Sequence, residues 1–380
     1  MSKTVATKPS RRDFLKYIGT AAAGVAVGTA ARNYVWVPTP SSTVTITETA
    51  TLTETETTTE RIAYPNSLRS AAEMRGLLVG SEFDDRVFED TRLGTSLVHE
   101  FNYLTGGEMG WAQVDSGYQE ADALVKFASS YQMKVNGHTL IWHGSLPKGI
   151  NENTSANTLR SAMQTHIRQE VGHFKGRIYA WNVVNEAVDT DGLRKTIFLE
   201  KLGEGYIAEA FQIANETDPH AMLFYNDYDA EAAGGLQKAK SDRVYELVKG
   251  LVNDGVPIHG VGLQMHLFAV EYPNPEDIAV NVRRLAALGL KVNISEMDVR
   301  IKELPLPMAD RLELQRRIYH DVITACVREK GFVSVSFWGL TDAHSWINES
   351  GQGPDYPLLL DENYQPKPAY WGVMDALLGK

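Results

Sequence analysis

Cysteine is nearly absent from this chain of 380 residues, which contains only Cys326. An intramolecular disulfide and a metal site built from several cysteines are therefore excluded. Long apolar runs are also missing, because none reaches the roughly 18 residues that a membrane-spanning helix needs. Positive charge is in the minority: 37 Lys and Arg stand against 48 Asp and Glu, and the net charge is −11. A nucleic-acid-binding protein usually has the opposite balance, so we expect no nucleic-acid partner and no membrane span in the mature domain.

The first 60 residues differ in composition from the rest of the chain. The run Ser10-Arg11-Arg12-Asp13-Phe14-Leu15-Lys16 precedes a short, mostly small and apolar stretch ending at Ala31, a pattern that resembles a twin-arginine export signal. A basic N-terminal helix is the alternative. Thr39 to Glu60 is rich in Thr and has no large apolar face, which favours an extended linker over a strand. We predict an export signal over 1–31, cleaved or retained as an anchor, and a linker over 32–60. A folded domain over 61–380 would then be secreted or held at the cell surface.

Short apolar runs alternate with amphipathic stretches from Leu77 to the C-terminus. Repeated strand–helix units predict a parallel sheet, and eight units in about 320 residues predict an α/β fold, a single (β/α)8 TIM barrel. An open doubly wound sheet is the alternative, but the first strand lacks the glycine-rich phosphate loop that follows it in such folds. The predicted strands are Leu77–Glu82, Ser96–Tyr103, Lys134–His138, Ile178–Val183, Ala221–Tyr225, Gly260–Gln264, Lys291–Ile294 and Val333–Phe337. The predicted helices are Ala121–Gln132, Asn157–Phe174, Thr196–Asn215, Asp242–Asn253, Pro275–Leu288, Ala309–Arg328 and Ala369–Leu378.

Polar and aromatic residues cluster where the predicted strands end, and in a barrel these ends surround one mouth. Two carboxylates stand out there: Glu186 follows the fourth strand and Glu296 follows the seventh. Two opposed carboxyls around a glycosidic bond are the minimum machinery of most glycosidases. Either Glu alone would more simply be a solvated surface residue. The polar neighbours Asn185, His266 and Asp298 favour a catalytic role, because such neighbours shift the pKa values of two carboxyls away from each other.

Histidines and tryptophans near these carboxylates have two interpretations each. His138, His143 and His266 with Asp298 could form the metal site of a barrel hydrolase. The chain has no His-x-His pair after its first strand, however, so we favour buried, hydrogen-bonding histidines and predict neither a metal nor a cofactor. Single tryptophans usually fill cores, but Trp142, Trp338 and Trp346 lie beside the carboxylates in sequence. We interpret these three as walls for sugar rings.

Eight motifs in order closely resemble those of glycoside hydrolase family 10, the endo-β-1,4-xylanases. The resemblance extends from about Leu77 to the C-terminus. The matching segments are Gly137-His138-Thr139-Leu140-Ile141-Trp142-His143, Trp181-Asn182-Val183-Val184-Asn185-Glu186-Ala187, Tyr225-Asn226-Asp227-Tyr228, Gly262-Leu263-Gln264-Met265-His266, Ser295-Glu296-Met297-Asp298-Val299, Trp338-Gly339-Leu340-Thr341-Asp342, His344-Ser345-Trp346 and the segment from Asp361 to Tyr370.

The resemblance implies a cofactor-free, retaining double displacement on xylan, with Glu186 as acid/base and Glu296 as nucleophile. It also implies that Asn185 binds the 2-hydroxyl of the reacting sugar, and that His266 orients Glu296 with Asp298 behind it. The remaining residues that the resemblance assigns to the site are His138, Trp142, Gln264 and Trp338 on the glycone side, Trp346 as a cover, and Asn226 and Tyr228 as supporting residues. We expect a monomer that acts on a polysaccharide.

One stretch departs from the family pattern. Thr105-Gly106-Gly107-Glu108-Met109-Gly110-Trp111 is one residue shorter than the usual Thr-Pro-Glu-Asn-x-x-Lys-Trp, lacks the Asn and has Gly110 in place of the Lys. In the family these groups bind sugars on the non-reducing side, and Glu108 lies one position away from its counterpart. The substrate could therefore be xylan, decorated xylan or a β-1,4-glucan. An inactive carbohydrate-binding barrel is the alternative from another class, but it would need neither Glu186 nor Glu296.

Overall fold

The structure, a computed structural model, describes residues 65–380. The predicted export signal (1–31), the predicted linker (32–60) and the first residues of the predicted domain lie outside the described residues. From Asn66 to Lys380 the chain packs as one compact unit.

Eight parallel strands form a closed barrel, as the strand–helix alternation predicts. The last barrel strand pairs with both the first and the one before it, which closes the sheet. Closure leaves no free sheet edge and brings all eight carboxyl ends to one mouth. The barrel strands are β1 (Leu78–Glu82), β2 (Tyr103–Gly106), β3 (Lys134–Ile141), β4 (Ala180–Asn185), β7 (Met222–Asp227), β8 (Gly260–Leu263), β10 (Lys291–Arg300) and β11 (Phe332–Phe337). A short hairpin of β5 (Val188–Asp189) and β6 (Gly192–Leu193) follows β4, and β9 (His266–Phe268) pairs with the end of β10.

Amphipathic helices cover the barrel, and several begin at side chains that cap them. The Ser155 side chain accepts a hydrogen bond from the Thr158 amide, and Asn274 caps a helix that begins with Pro275. The helices are Leu68–Glu73, Thr91–Glu100, Trp111–Val114, Gln119–Ser130, Ala156–His173, Ile197–Leu202, Gly205–Thr217, Lys238–Asn253, Pro275–Ala287, Met308–Val327, Trp346–Glu349 and Pro368–Leu378. Within residues 65–380, no helix is both long and apolar enough to cross a membrane.

Two predicted elements are wrong. Ser96–Tyr103 is not a strand, because Thr91–Glu100 forms a helix whose N-terminus is capped by the Asp90 carboxylate. Leu93 and Leu97, four residues apart, are buried by that helix, and the second strand starts only at Tyr103. The single helix predicted over Thr196–Asn215 is two helices separated at Gly203, whose φ of 72° a helix cannot contain. The helix Leu68–Glu73 was not predicted.

A tryptophan on the helix-facing side of the barrel requires a glycine on the neighbouring strand. Trp181 on β4 is fully buried and lies beside Gly137 on β3. A Cβ on Gly137 would lie 2.1 Å from the indole ring, far inside contact distance. Gly137 therefore allows the large ring to pack between the sheet and Phe174, at the end of the covering helix Ala156–His173.

Candidate active site

The two carboxylates lie in one cleft of about 560 Å³ at the carboxyl ends of the strands. Glu186 directly follows β4 and Glu296 lies within β10, so opposite sides of the barrel supply them. Eight other residues assigned from the sequence also line this cleft: His138, Trp142, Asn185, Tyr228, Gln264, His266, Trp338 and Trp346. Two surface cavities of about 750 and 900 Å³ are larger, but neither is lined by Glu186 or Glu296. The chemistry of the lining, rather than the volume, identifies the cleft as the candidate active site.

Glu186 is held in an uncommon backbone conformation. Its φ is 56°, in the left-handed region that non-glycine residues rarely adopt. Its amide donates to the Asn226 carbonyl at 2.9 Å, and its carbonyl accepts from Arg194 Nε at 3.0 Å. Strain of this kind persists where surrounding contacts enforce it, and it is common at active sites. The result is a side chain turned into the cleft, where Trp142 Nε1 donates to Glu186 Oε2 at 3.0 Å.

Glu296 is buried among hydrogen-bond donors. Asn226 Nδ2 donates to Glu296 Oε1 at 2.7 Å, and His266 Nε2 lies 3.3 Å from Oε2. His138 Nδ1 is 3.8 Å from Oε1. Burial would raise the pKa of Glu296, but His138, His266 and the Asn226 amide outweigh it and lower the pKa below its usual value. Glu296 is therefore ionised at neutral pH, as an attacking carboxylate must be.

Three amide side chains connect the two carboxylates. Gln264 Nε2 donates to Glu186 Oε1 at 3.1 Å and lies 3.3 Å from Asn185 Oδ1. Asn226 Nδ2 donates to Asn185 Oδ1 at 2.8 Å as well as to Glu296. Asn226 is fully buried, so it supports the site from behind and does not line the cleft. The continuous network fixes the position of each carboxylate relative to the other.

Asp298 holds the two side chains, His266 and Trp346, that lie next to it at the site. Its Oδ2 accepts from His266 Nδ1 at 2.8 Å and from Trp346 Nε1 at 2.9 Å. Burial would lower the pKa of His266, but Asp298 and Glu296 raise it to about 10. His266 is thus an imidazolium that donates to a carboxylate from each ring nitrogen. One buried carboxylate thereby orients both the charged partner of Glu296 and an indole wall of the cleft.

The other residues assigned from the sequence occupy the walls of the cleft. Asn182 Nδ2 lies 2.9 Å from Nδ1 of His138, and the His138 ring meets Trp338 edge to face. Tyr228 lines the cleft, and its hydroxyl accepts from Arg194 at 2.7 Å. His143 lies in the neighbouring 900 Å³ cavity, outside the cleft. Within residues 65–380, no group of three or more His, Cys, Asp or Glu side chains is arranged to hold a metal ion.

Sequence reasoning missed residues that act on the site from other segments. Arg194 contacts both the Glu186 carbonyl and Tyr228, but it follows the short hairpin and belongs to none of the motifs. Phe268 lines the cleft with 42% of its surface exposed. The alternation of side chains along a strand is the signal that could have identified Phe268. His266 and Phe268 are two residues apart in β9, so their side chains lie on the same face.

A buried ion pair was also not predicted from the sequence. Lys240 Nζ lies 2.7 Å from Asp227 Oδ1, and both side chains are almost fully buried. Asp227 also accepts from the Tyr225 hydroxyl, which in turn accepts from the amide of Ala187, next to Glu186. Lys240 comes from a surface helix, and a lone Lys in an amphipathic helix gives no signal in the sequence.

The stretch that departs from the family pattern places glycines in the cleft. Gly107 and Gly110 line it, and so does Gln113 from the following helix. Glu108 does not line the cleft. It faces a separate, smaller cavity on the far side of Trp346.

Comparisons with known proteins place the chain in a family. The model of Glycosyl hydrolase family 10 matches residues 67–376. A β-1,4-xylanase of Dictyoglomus thermophilum is 37% identical over 298 residues, which cover 73% of this chain and 82% of that protein. The crystal structure of xylanase 10B from Thermotoga maritima superposes with a TM-score of 0.77 at 35% identity, over 82% of this chain and 98% of that one. Xylanase 10B from Thermotoga petrophila, solved with xylobiose, matches with the same TM-score and identity, over 82% of this chain and 97% of its own. The chain belongs to glycosyl hydrolase family 10.

Proposed function

We propose that the chain is a retaining endo-β-1,4-xylanase that hydrolyses internal β-1,4-xylosidic bonds of xylan. One observation carries the mechanism: Glu186 and Glu296 lie in the same cleft and are connected by the Gln264–Asn185–Asn226 network. Two carboxyls around a glycosidic bond suffice for acid/base and nucleophilic catalysis. The family, and relatives named as β-1,4-xylanases, support xylan as the substrate.

In the first step, Glu296 attacks the anomeric carbon of the sugar on the glycone side. The bond from that carbon to the leaving oxygen breaks, and Glu186 gives its proton to that oxygen. The donors around Glu296 keep it ionised until it attacks. Asn185 lines the cleft and donates to Glu186 Oε1, which supports its proposed contact with the 2-hydroxyl of the reacting sugar.

In the second step, Glu186 removes a proton from a water molecule, and the oxygen of that water attacks the anomeric carbon. The bond to Glu296 breaks, and Glu296 returns as a carboxylate. Glu186 regains the proton that it gave in the first step. Two inversions at the same carbon leave the product with the β configuration of the substrate.

The roles of the two carboxylates are tested by comparing Glu186→Gln and Glu296→Gln on two substrates. Glu296→Gln should abolish turnover of both xylan and an aryl β-xylobioside, while oligosaccharide binding remains measurable. Glu186→Gln should abolish turnover of xylan, but should still release the aryl group in an initial burst, because that leaving group needs no proton. Glu216→Gln, an exposed carboxyl near the end of the helix Gly205–Thr217, is the matched control. If Glu296→Gln kept full activity, the nucleophile assignment would be wrong.

A second candidate substrate is β-1,4-glucan. Gly107 and Gly110 line the cleft where side chains that bind sugars are expected, and the extra space could accept a hydroxymethyl group. Release of reducing sugar should be measured on xylan and on mixed-linked β-glucan side by side. A strong preference for xylan supports the first proposal, equal rates would make the enzyme a dual glycanase, and activity on neither polymer would favour a carbohydrate-binding protein.

We further propose that the enzyme is a monomer exported by the twin-arginine route. The support for export is the Ser10–Lys16 run with its following apolar stretch, and the Thr-rich segment would act as a spacer. Replacing both Arg11 and Arg12 with Lys should retain the enzyme inside the cell, as fractionation would show. Light scattering of the purified chain tests the oligomeric state.

A further inference from the structure

We propose that a second cavity beside the catalytic cleft is a pocket for a neutral, hydroxyl-bearing side group of the polysaccharide, such as a single pentosyl unit. The proposal rests on the proposed function. It adds a subsite that receives a branch of the substrate rather than its main chain.

The cavity lies directly behind one wall of the cleft. It has a volume of about 220 Å³ and is lined by residues from β1, from the altered stretch and from the segment after β11. Trp346 lines both the cavity and the cleft, so its indole is a shared wall. Gly107 lines the cleft, and a Cβ on it would lie 3.7 Å from Glu82 Oε1. A sugar held against Gly107 and Trp346 could therefore direct a substituent towards Glu82.

Two polar groups of this cavity have no partner in the protein. Ser81 is fully buried and lines the cavity, and its Oγ makes no hydrogen bond. Glu108 also lines the cavity, and its Oε2 is a buried atom without a partner. Buried polar groups are normally satisfied, because leaving one unpaired is unfavourable. Hydroxyl groups of a bound sugar would supply the missing partners for both.

The acidic lining of the cavity selects against a negatively charged group. Glu82 and Glu108 both line it, and burial together with neighbouring negative charge raises the pKa of each to about 8, so that both favour the neutral form. Arg86, the cation among the lining residues, already forms ion pairs with Asp84 and Glu349. A uronic acid substituent would therefore bring a further carboxylate to a place where no lining cation is left to pair with it. A neutral sugar hydroxyl can donate to and accept from these carboxyls.

The size of the cavity limits what can enter. A volume of about 220 Å³ equals the share of about seven water molecules in the liquid. That space admits one monosaccharide-sized group and excludes a longer branch. The pocket would thus favour xylan that carries single-sugar branches.

The test compares three xylo-oligosaccharides that share one backbone. One is unsubstituted, one has a neutral pentosyl group on a glycone-side unit, and one has a uronosyl group at the same position. Full-length wild type, Ser81→Ala and Glu108→Leu are assayed for kcat/KM on each, with Glu216→Gln as the control. Ser81→Ala removes a single oxygen atom, so it reports on the pocket even if Glu108→Leu fails to fold.

We expect each pocket variant to lose about threefold to tenfold in kcat/KM on the pentosyl substrate, as the loss of one hydrogen bond implies. The rate on the unsubstituted substrate should change by less than about twofold, and wild type should cleave the uronosyl substrate poorly. Equal losses on the pentosyl and unsubstituted substrates would overturn the proposal, because the two groups would then serve the main chain or the fold.

Failure of the proposed function is a separate outcome. If wild type cleaves none of the three substrates, the pocket is tested by binding instead. The affinity of the Glu296→Gln chain for the same oligosaccharides is then measured by calorimetry. Tighter binding of the pentosyl compound, lost in Glu296→Gln/Ser81→Ala, would still support the pocket. Equal binding of the pentosyl and unsubstituted compounds would refute it.

Discussion

Replacing Asp298 with Asn should move the titration of His266 into the working pH range. Asp298 Oδ2 accepts from His266 Nδ1 at 2.8 Å, and this carboxylate raises the pKa of His266. Asn keeps an oxygen acceptor for His266 and for Trp346 Nε1, but it removes the negative charge. The substitution therefore isolates the electrostatic contribution of Asp298 with little change in shape.

The magnitude follows from the geometry. At an effective dielectric constant of about 20, unit charges about 4 Å apart interact by about 4 kcal/mol, which corresponds to about three pKa units as an upper bound. Wild-type His266 has a pKa of about 10, so the variant value should fall to between about 7 and 9. The imidazolium is present below the pKa and lost above it. Glu296 should therefore lose its charged partner in the variant at a pH where the wild type keeps it.

The assay is the pH dependence of kcat/KM on an aryl β-xylobioside, together with NMR titration of the His266 ring. At about pH 5 the variant should stay within about threefold of wild type, because His266 is protonated in both. Above pH 8 to 9 the variant should fall by about tenfold relative to wild type, which is the contribution of one hydrogen bond to a charged group. Asp254→Asn, an exposed Asp after the helix Lys238–Asn253, controls for the change in net charge. A uniform loss of rate at all pH values would refute the electrostatic role of Asp298 and indicate a structural one.

Three further substitutions test other parts of the structure. Glu82 has a raised pKa of about 8, so the folded chain holds a proton that the unfolded chain loses above about pH 4.5, and stability declines as pH rises through that window. In scanning calorimetry, the Tm of wild type should fall as the pH rises from 6 to 9, and the Tm of Glu82→Gln should fall less over the same range. Lys240→Met leaves buried Asp227 without its ion-pair partner and should cost about 3–5 kcal/mol in urea unfolding, with part of the loss recovered by adding Asp227→Asn. Trp142→Phe removes the donor to Glu186 Oε2 and should lower kcat on xylan by about threefold to tenfold, but should change aryl-glycoside cleavage little.

The barrel could be predicted because most residues of its strands are buried and the apolar runs that form them are short and bounded. β1, β10 and β11 each lie close to the predicted range, although β10 continues to Arg300. The second strand was misplaced because Ser96–Tyr103 contains β-branched and apolar residues that fit either type of element. The Asp90 cap and the four-residue spacing of Leu93 and Leu97 are the local signals that favour a helix there.

The residues that line the cleft could be predicted for a different reason. Glu186 directly follows β4 and Glu296 lies in the second half of β10, and the fold alone brings these carboxyl-terminal parts of the strands together. The residues that support the site from outside the motifs could not be predicted in this way. Arg194 and Lys240 reach the site from a hairpin and a surface helix, and only the packed chain shows where their side chains point.

Two left-handed residues show how distant segments determine the geometry of the site. Glu186 (φ 56°) and Met265 (φ 63°) both adopt a conformation that their residue types disfavour. The Met265 amide donates to buried Glu231, whose burial raises its pKa to about 7, and this contact turns the chain immediately before His266. Glu186 is held by Asn226 and Arg194 in the same way. The conformations that place Glu186 and His266 are therefore imposed by tertiary contacts, which explains why local sequence identifies the candidate site residues but not their orientation.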